Sequence, residues 1–248
     1  MTNPKDDLAS TRRAIDALDN QMLSLIDQRL ALAKSLRALK PAGRAAWDPA
    51  REHALLQRLL NRKSDTFPAS TLVSMWSALI TCSLMTQGPL VLLCRNPEQE
   101  TLAKLAFPAS PTQKLDIKNW RAQTAETPGA IAVLPLPGPD QTWWRELVRP
   151  GPALRIQTCL PKWPPNQYGA CCVSMGPAVY QEGKINWVVQ NQTDELPTDA
   201  VVLARSDGLV LFETAQPTAQ SDAPGTGLSH KLDQPISIGS FYPPLQIG

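Results

Sequence analysis

The stretch DDLASTRRAIDALDNQMLSLIDQRLALAKSLRAL, Asp6–Leu39, decides the fold. Positions seven apart read Leu8, Ile15, Met22, Arg29 and Leu36, and the companion seam reads Thr11, Leu18, Leu25, Leu32 and Leu39. The pattern runs on with no interior Gly or Pro, which predicts one long helix of about 50 Å at 1.5 Å rise per residue. Lys40-Pro41-Ala42-Gly43 ends it. Asp48-Pro49 then supplies an N-cap followed by proline at the first helical position. The second helix carries Leu55, Leu56, Leu59 and Leu60 to about Lys63, and a third runs from about Pro68 through Leu72, Trp76, Leu79 and Ile80 to Gly88.

Working outward, the chain changes character at Gly88-Pro89. Only Pro4, Pro41, Pro49 and Pro68 of its 24 prolines precede that point, and residues 1–88 carry a net charge of +4 against −2 for residues 89–248. Two domains are expected, 1–88 all-α and 89–248 α/β. In the second, apolar runs at 90–94, 130–136, 153–159, 170–173, 185–190, 200–204 and 208–213 predict strands, 98–107 predicts a helix, and 217–227 (PTAQSDAPGTG) predicts a linker or loop.

Composition excludes several function classes. With 248 residues and a net charge of +2, the chain has no general pull toward nucleic acid or a membrane surface. Its start, MTNPKDD, carries charge and no apolar core, so no signal peptide is expected, and no apolar run is expected to approach the ~20 residues of a membrane span. A cytoplasmic protein is expected. The five cysteines lack a C-x-x-C pair, and the two histidines, His53 and His230, are far apart. Disulfide frameworks, zinc sites and covalent triads are poorly supported, so neither metal nor cofactor is expected. Cys171 and Cys172 read as buried reduced thiols in a strand, and Trp143-Trp144 as core packing.

Charge sits where a helical core should be. Arg29 interrupts the apolar seam, and Lys40 lies three turns further on the same face. Arg51 and Glu52 precede Leu55 and Leu56 by four residues each, and Ser83 and Gln87 extend the Trp76–Ile80 stripe. Such groups are expensive away from water unless something pairs with them. The bland account is a set of internal salt bridges, but the excess is cationic, which suits a small dianion such as a dicarboxylate. Arg12 lies about 25 Å from Arg29 along the same helix, too far to share one small molecule with it. Either Arg12 is a solvated charge, or it enters the equivalent site of a second subunit. A helix too long for its own chain to cover favours an intertwined homodimer.

TRRAIDALDNQMLSLIDQRLALAKSLRALK (11–40), WDPAREHALLQRLL (47–60) and SALITCSLMTQ (77–87) resemble the all-helical chorismate mutases, in particular the N-terminal domain of bifunctional chorismate mutase–prephenate dehydratases. The resemblance implies a three-helix mutase fold in an intertwined dimer, converting chorismate to prephenate on the way to phenylalanine and tyrosine. By it, Arg29 and the second subunit's Arg12 hold the substrate carboxylates. Lys40 contacts a carboxylate and the ether oxygen, and Gln87 the same ether oxygen. Glu52 accepts from the ring hydroxyl with help from backbone near Asp48, and Arg51 and Ser83 complete the wall. Two alternatives stand beside this: isochorismate–pyruvate lyase, the sister reaction on the same fold, and a non-catalytic helical dimerisation or partner-binding module.

The second half resembles a shrunken prephenate dehydratase with its regulatory tail. VLLCRNPEQETLAKLAF (91–107) lacks that family's opening glycines, and AIAVLPLPGPD (130–140) lacks its Glu-Asn. Where the dehydratases carry a catalytic Thr-Arg-Phe, this chain reads Thr198-Asp199-Ala200. ISIGSFYPP (236–244) resembles the closing strand of the regulatory domain. The resemblance implies a remnant without dehydratase activity.

Overall fold

The computed structural model describes residues 4–39, 47–162, 168–176, 184–215 and 232–245. Lys40 and the 217–227 stretch lie outside the described residues. Three helices come first: α1 (Pro4–Leu39), α2 (Pro49–Leu60) and α3 (Ala69–Gln87). The Asp48 carboxylate caps α2 as its sequence predicts, accepting from the Arg51 backbone N–H at 3.1 Å. This satisfies one of the four amides every helix start leaves open.

The seam of α1 is not buried by its own chain. α1 packs on α3 over its C-terminal half, and among its described side chains only Ala33 is fully buried. Leu18, Leu25 and Leu32 remain 58%, 63% and 69% exposed, with Leu8, Ile15 and Met22 also open on the flanking seam. A heptad stripe left in water over this length is costly, because each fully exposed leucine forgoes about 1.5–3 kcal/mol of burial. By length and composition α3 would also pass for a membrane span. This differs from the expectation of no span-like run; in the fold one face of α3 packs, with Leu72, Val73 and Leu84 buried against neighbouring elements, while Met75 and Met85 stay exposed.

The rest is a mixed α/β unit around one nine-stranded sheet. Its elements are β1 (Val91–Cys94), α4 (Pro97–Ala106), β2 (Thr112–Lys114), α5 (Trp120–Glu126), β3 (Ala130–Pro135), β4 (Leu154–Leu160), β5 (Ala170–Met175), β6 (Ile185–Asn191), β7 (Val201–Ser206), β8 (Leu209–Thr214) and β9 (Ile236–Phe241). The order is β2-β1-β3-β5-β4-β9-β6-β8-β7. The β2, β1 and β3 strands are parallel, while β6, β8 and β7 form an antiparallel meander. Two expectations shift. The expected strands are all present to within two residues, but β2 and α5 carried no apolar signal. The segment read as a regulatory closing strand, β9, lies mid-sheet between β4 and β6.

Strand alternation assigns each residue of β1 and β3 to one face of the sheet. Leu93, Ala130 and Ala132 face the core that holds Trp120, Trp143 and Trp144. Leu92, Cys94, Ile131 and Val133 face the opposite core, shared with Ala103 and Phe107. Trp47 and Leu84 of the helical half are part of that second core. Helices and sheet are therefore packed together. Gly129 makes the close approach at the join possible: at φ +71°, a Cβ there would sit 1.8 Å from the Pro89 carbonyl oxygen. The chain's other end returns too. Leu245 inserts among Leu56, Leu60, Leu72 and Val73, and its N–H donates to the Lys162 carbonyl at 3.0 Å.

Cys171 and Cys172 are buried free thiols in β5, as read from the sequence. Burial pushes the Cys172 thiol well up and Cys94 up to about 11, so both stay protonated near neutrality.

Candidate active site

Arg29 leaves the exposed part of α1 and turns onto α3. Its Nη1 donates to the Leu79 carbonyl at 2.9 Å and to the Ser83 hydroxyl. The same hydroxyl donates back along its own helix to Leu79 O at 2.7 Å. One turn on, Gln87 Nε2 donates to Ser83 O at 3.0 Å, while its buried Oε1 has no partner among the described residues. Leu79, Ser83 and Gln87 thus form one polar stripe at four-residue spacing. The sequence placed Ser83 and Gln87 on the Trp76–Ile80 stripe, but Leu84 is what continues that stripe, into the core against the sheet.

Burial, and then the neighbouring Arg51 guanidinium, push the Arg29 pKa below its ordinary value. Arg29 remains charged, since guanidinium pKa values start above ~12. Arg51, at the exposed start of α2, is near enough to oppose its charge, and neither cation forms an ion pair with a carboxylate among the described residues. Two of Arg29's nitrogens, Nη2 and Nε, stay available beyond the anchoring bonds of Nη1. The corner is built to receive negative charge. Gln87 also lines a cavity of about 440 Å³ with Arg37, Trp47 and Leu84. That is within the range of small-molecule sites.

Glu52 is positioned differently from Arg29, Ser83 and Gln87. It is buried, with Oε2 accepting from Trp47 Nε1 at 3.0 Å and Oε1 from Lys162 Nζ at 2.7 Å. Trp47 stands edge-on to Phe107 of the α4 end, with centroids 5.0 Å apart. Next to Glu52, the His53 ring stacks on Tyr242 at 4.3 Å, and Lys184 Nζ lies 4.9 Å over the same tyrosine. Burial lowers the His53 pKa, a nearby Glu52 opposes this, and Lys184 adds to it. Burial likewise lowers Lys184, against the pull of Asp48.

The eight sequence-selected positions therefore distribute as follows. Arg29, Ser83 and Gln87 meet on the α1–α3 side, while Arg51, read from the sequence as inward-facing, is exposed at the start of α2. Asp48 caps α2, and Glu52 lies beneath it against the sheet. Arg12 is exposed far up α1, and Lys40 lies outside the described residues. Sequence reasoning passed over Trp47 and Lys162. Trp47 adjoins the cap and was within the quoted motif, but Lys162 had no local signal.

One comparison bears on this geometry. Residues 11–88 match the family model of chorismate mutase type II. The match covers the three helices from Thr11 onward and stops where the sheet begins. No curated protein and no solved structure matches the chain. Among the described residues no cluster of His, Cys, Asp and Glu is arranged to hold a metal ion.

Proposed function

We propose that the helical half, divided from the sheet at Gly88-Pro89, is a chorismate mutase that forms prephenate in aromatic amino acid biosynthesis. The carrying observation is the Arg29 guanidinium, turned onto α3 with no acidic partner among the described residues and joined through Ser83 to the hydrogen-bonding stripe that ends at Gln87. The match of residues 11–88 to the mutase family gives that cationic corner its substrate.

Chorismate is a dianion, and its [3,3] rearrangement is unimolecular. It breaks the ether C–O bond as a C–C bond forms, with no nucleophile and no proton transfer. An enzyme contributes by holding the chair-like conformer and by aiming donors at the ether oxygen as negative charge grows there. In this account Arg29 holds one carboxylate through its two remaining nitrogens, and Arg12 of the second subunit holds the other. Gln87 has a second Nε2 proton for the ether oxygen, with Lys40 beside it. Glu52 takes the ring hydroxyl near the Asp48 end of α2, and Arg51 and Ser83 close the wall. Arg29 and Gln87 are held on α3 by hydrogen bonds before substrate arrives, which avoids part of the reorganisation that water would need.

The open α1 seam supports a cytoplasmic, intertwined homodimer, since a second copy brings both the missing apolar cover and an Arg12. The sheet half is proposed as a dehydratase remnant without dehydration. Asp199, which stands in the place of that family's arginine, accepts from Thr214 Oγ1 at 2.8 Å and from the Ala215 amide at 2.9 Å. It serves as a local tie at the end of β8.

Proton NMR of chorismate and of isochorismate with the full chain tests the reaction. Prephenate from chorismate, with isochorismate unchanged, is expected. Salicylate and pyruvate from isochorismate would assign the lyase instead. No turnover of either by folded protein would leave a helical assembly module.

A further inference from the structure

We propose that Lys162, from the sheet half of the chain, is a positioning residue for the mutase site through its hold on Glu52. The inference rests on the mutase assignment above and extends it to a side chain 110 residues away in sequence from its target.

Glu52 is 5% exposed, one turn before the fully buried Leu56 on the inner face of α2. A carboxylate so placed needs a counter-charge or it gives up its charge or its position. Among the described residues, the helical half supplies the Glu52 carboxylate with a single neutral donor, the Trp47 indole N–H at 3.0 Å. The compensating cation comes from the other half, Lys162 Nζ at 2.7 Å. The other titratable groups near this junction are His53, Asp48 and Lys184, and among the described residues none of their side chains bonds to the Glu52 carboxylate.

Lys162 is itself fixed at both ends. Its ammonium lies 4.4 Å over the Phe107 ring and 5.6 Å from the Trp47 ring centre, and its carbonyl accepts from the Leu245 amide at 3.0 Å. An ammonium enclosed by aromatic faces is held electrostatically, and its attraction to Glu52 is strengthened by exclusion of water. Each Glu52 oxygen has two acceptor directions and spends one, on Trp47 or on Lys162. One remains on each oxygen for a substrate hydroxyl. The ion pair therefore orients Glu52 without exhausting it. In this arrangement the sheet is needed by the mutase site even where it performs no chemistry of its own.

The test is a double-mutant cycle on the full chain, with kcat and KM for chorismate and a thermal melt for every variant. K162M keeps the aliphatic stem and removes the charge; E52Q removes its target. K162M is expected to lower kcat/KM about tenfold or more. In the E52Q background, adding K162M is expected to change kcat/KM by less than about twofold, because the route through Glu52 is already closed. If K162M alone does not fold, K162Q, which keeps a donor for Oε1, replaces it in the cycle. The double variant strands no buried charge. Wild-type kinetics in folded K162M would overturn the proposal. So would a gain in activity, which would make the ion pair a competitor of substrate, or a tenfold further loss on adding K162M to E52Q. Absence of turnover in the wild type assayed alongside would instead overturn the mutase assignment itself.

Discussion

Arg29→Lys is expected to lower kcat/KM for chorismate on the order of 10²–10³-fold, although it preserves the charge. The reason lies in how the guanidinium is divided. Nη1 is spent on Leu79 O and the Ser83 hydroxyl, which fixes the plane of the fork and aims Nη2 and Nε away from α3. An ammonium on a shorter stem concentrates its protons at one point. It can keep the α3 contacts or reach a ligand carboxylate, and it has no planar pair of donors for either. Burial and Arg51 already work against a cation here, so a lysine is also easier to neutralise than the arginine it replaces. Chorismate disappearance with a parallel melting curve checks this. Activity within about threefold of wild type would show that charge alone suffices and that the fork has no role.

The second large effect belongs to the surface of α1. Leu18→Glu together with Leu25→Glu is expected to yield a monomer with mutase activity near background. Both side chains are more than half exposed within one subunit, so a monomeric protein should tolerate the change with a melting point close to wild type. In a two-fold dimer each substitution is felt twice, and four carboxylates enter an apolar seam with no counter-charge. Sedimentation velocity of wild type and variant, read beside the assay, separates the cases. A variant that remains dimeric and active would place the subunit contact elsewhere. A wild type that is monomeric and active would remove the role given to Arg12.

The helical part of the fold was open to sequence reading because its signals are local. The heptads of Asp6–Leu39 and the Asp48-Pro49 cap each lie within one element and act over a few residues. Much of the sheet announced itself through apolar runs between turns. β2 did not: Thr112-Gln113-Lys114 is an edge strand with little to bury, and its pairing with β1 decides its state. β9 was read only through a resemblance, because its alternation is short: Ile236 and Ile238 face the main core, while Ser237 and Gly239, alternating with them, are buried on the other face. Its Gly239 is set so close to Ile156 that a Cβ would lie 2.6 Å from the isoleucine Cβ.

The same division holds at the site. Arg29, Ser83 and Gln87 were legible as polar breaks in helical stripes, since a polar group in an apolar periodic pattern is a visible inconsistency, whereas Arg51 broke the pattern of α2 and is exposed. That Glu52 faces the sheet was not legible. Its direction is set by Lys162, Trp47 and Phe107, which share no motif and come together only when β4 and the end of α4 pack under α2. Arg12 is legible as a question in the sequence and stays one within a single subunit, where it is exposed far up α1; the proposed answer is a second copy of the chain.

That answer is open to one measurement. Arg12→Ala and Arg29→Ala proteins, each inactive alone, would be co-expressed with different tags and the mixed dimer isolated. If every site takes Arg29 from one subunit and Arg12 from the other, the mixed dimer holds one intact site and one site lacking both arginines. Its activity is then expected at about half that of the wild-type dimer, and a statistical mixture of all dimers at about a quarter. A mixed dimer as inactive as its parents, with active wild type beside it, would contradict a site shared between subunits.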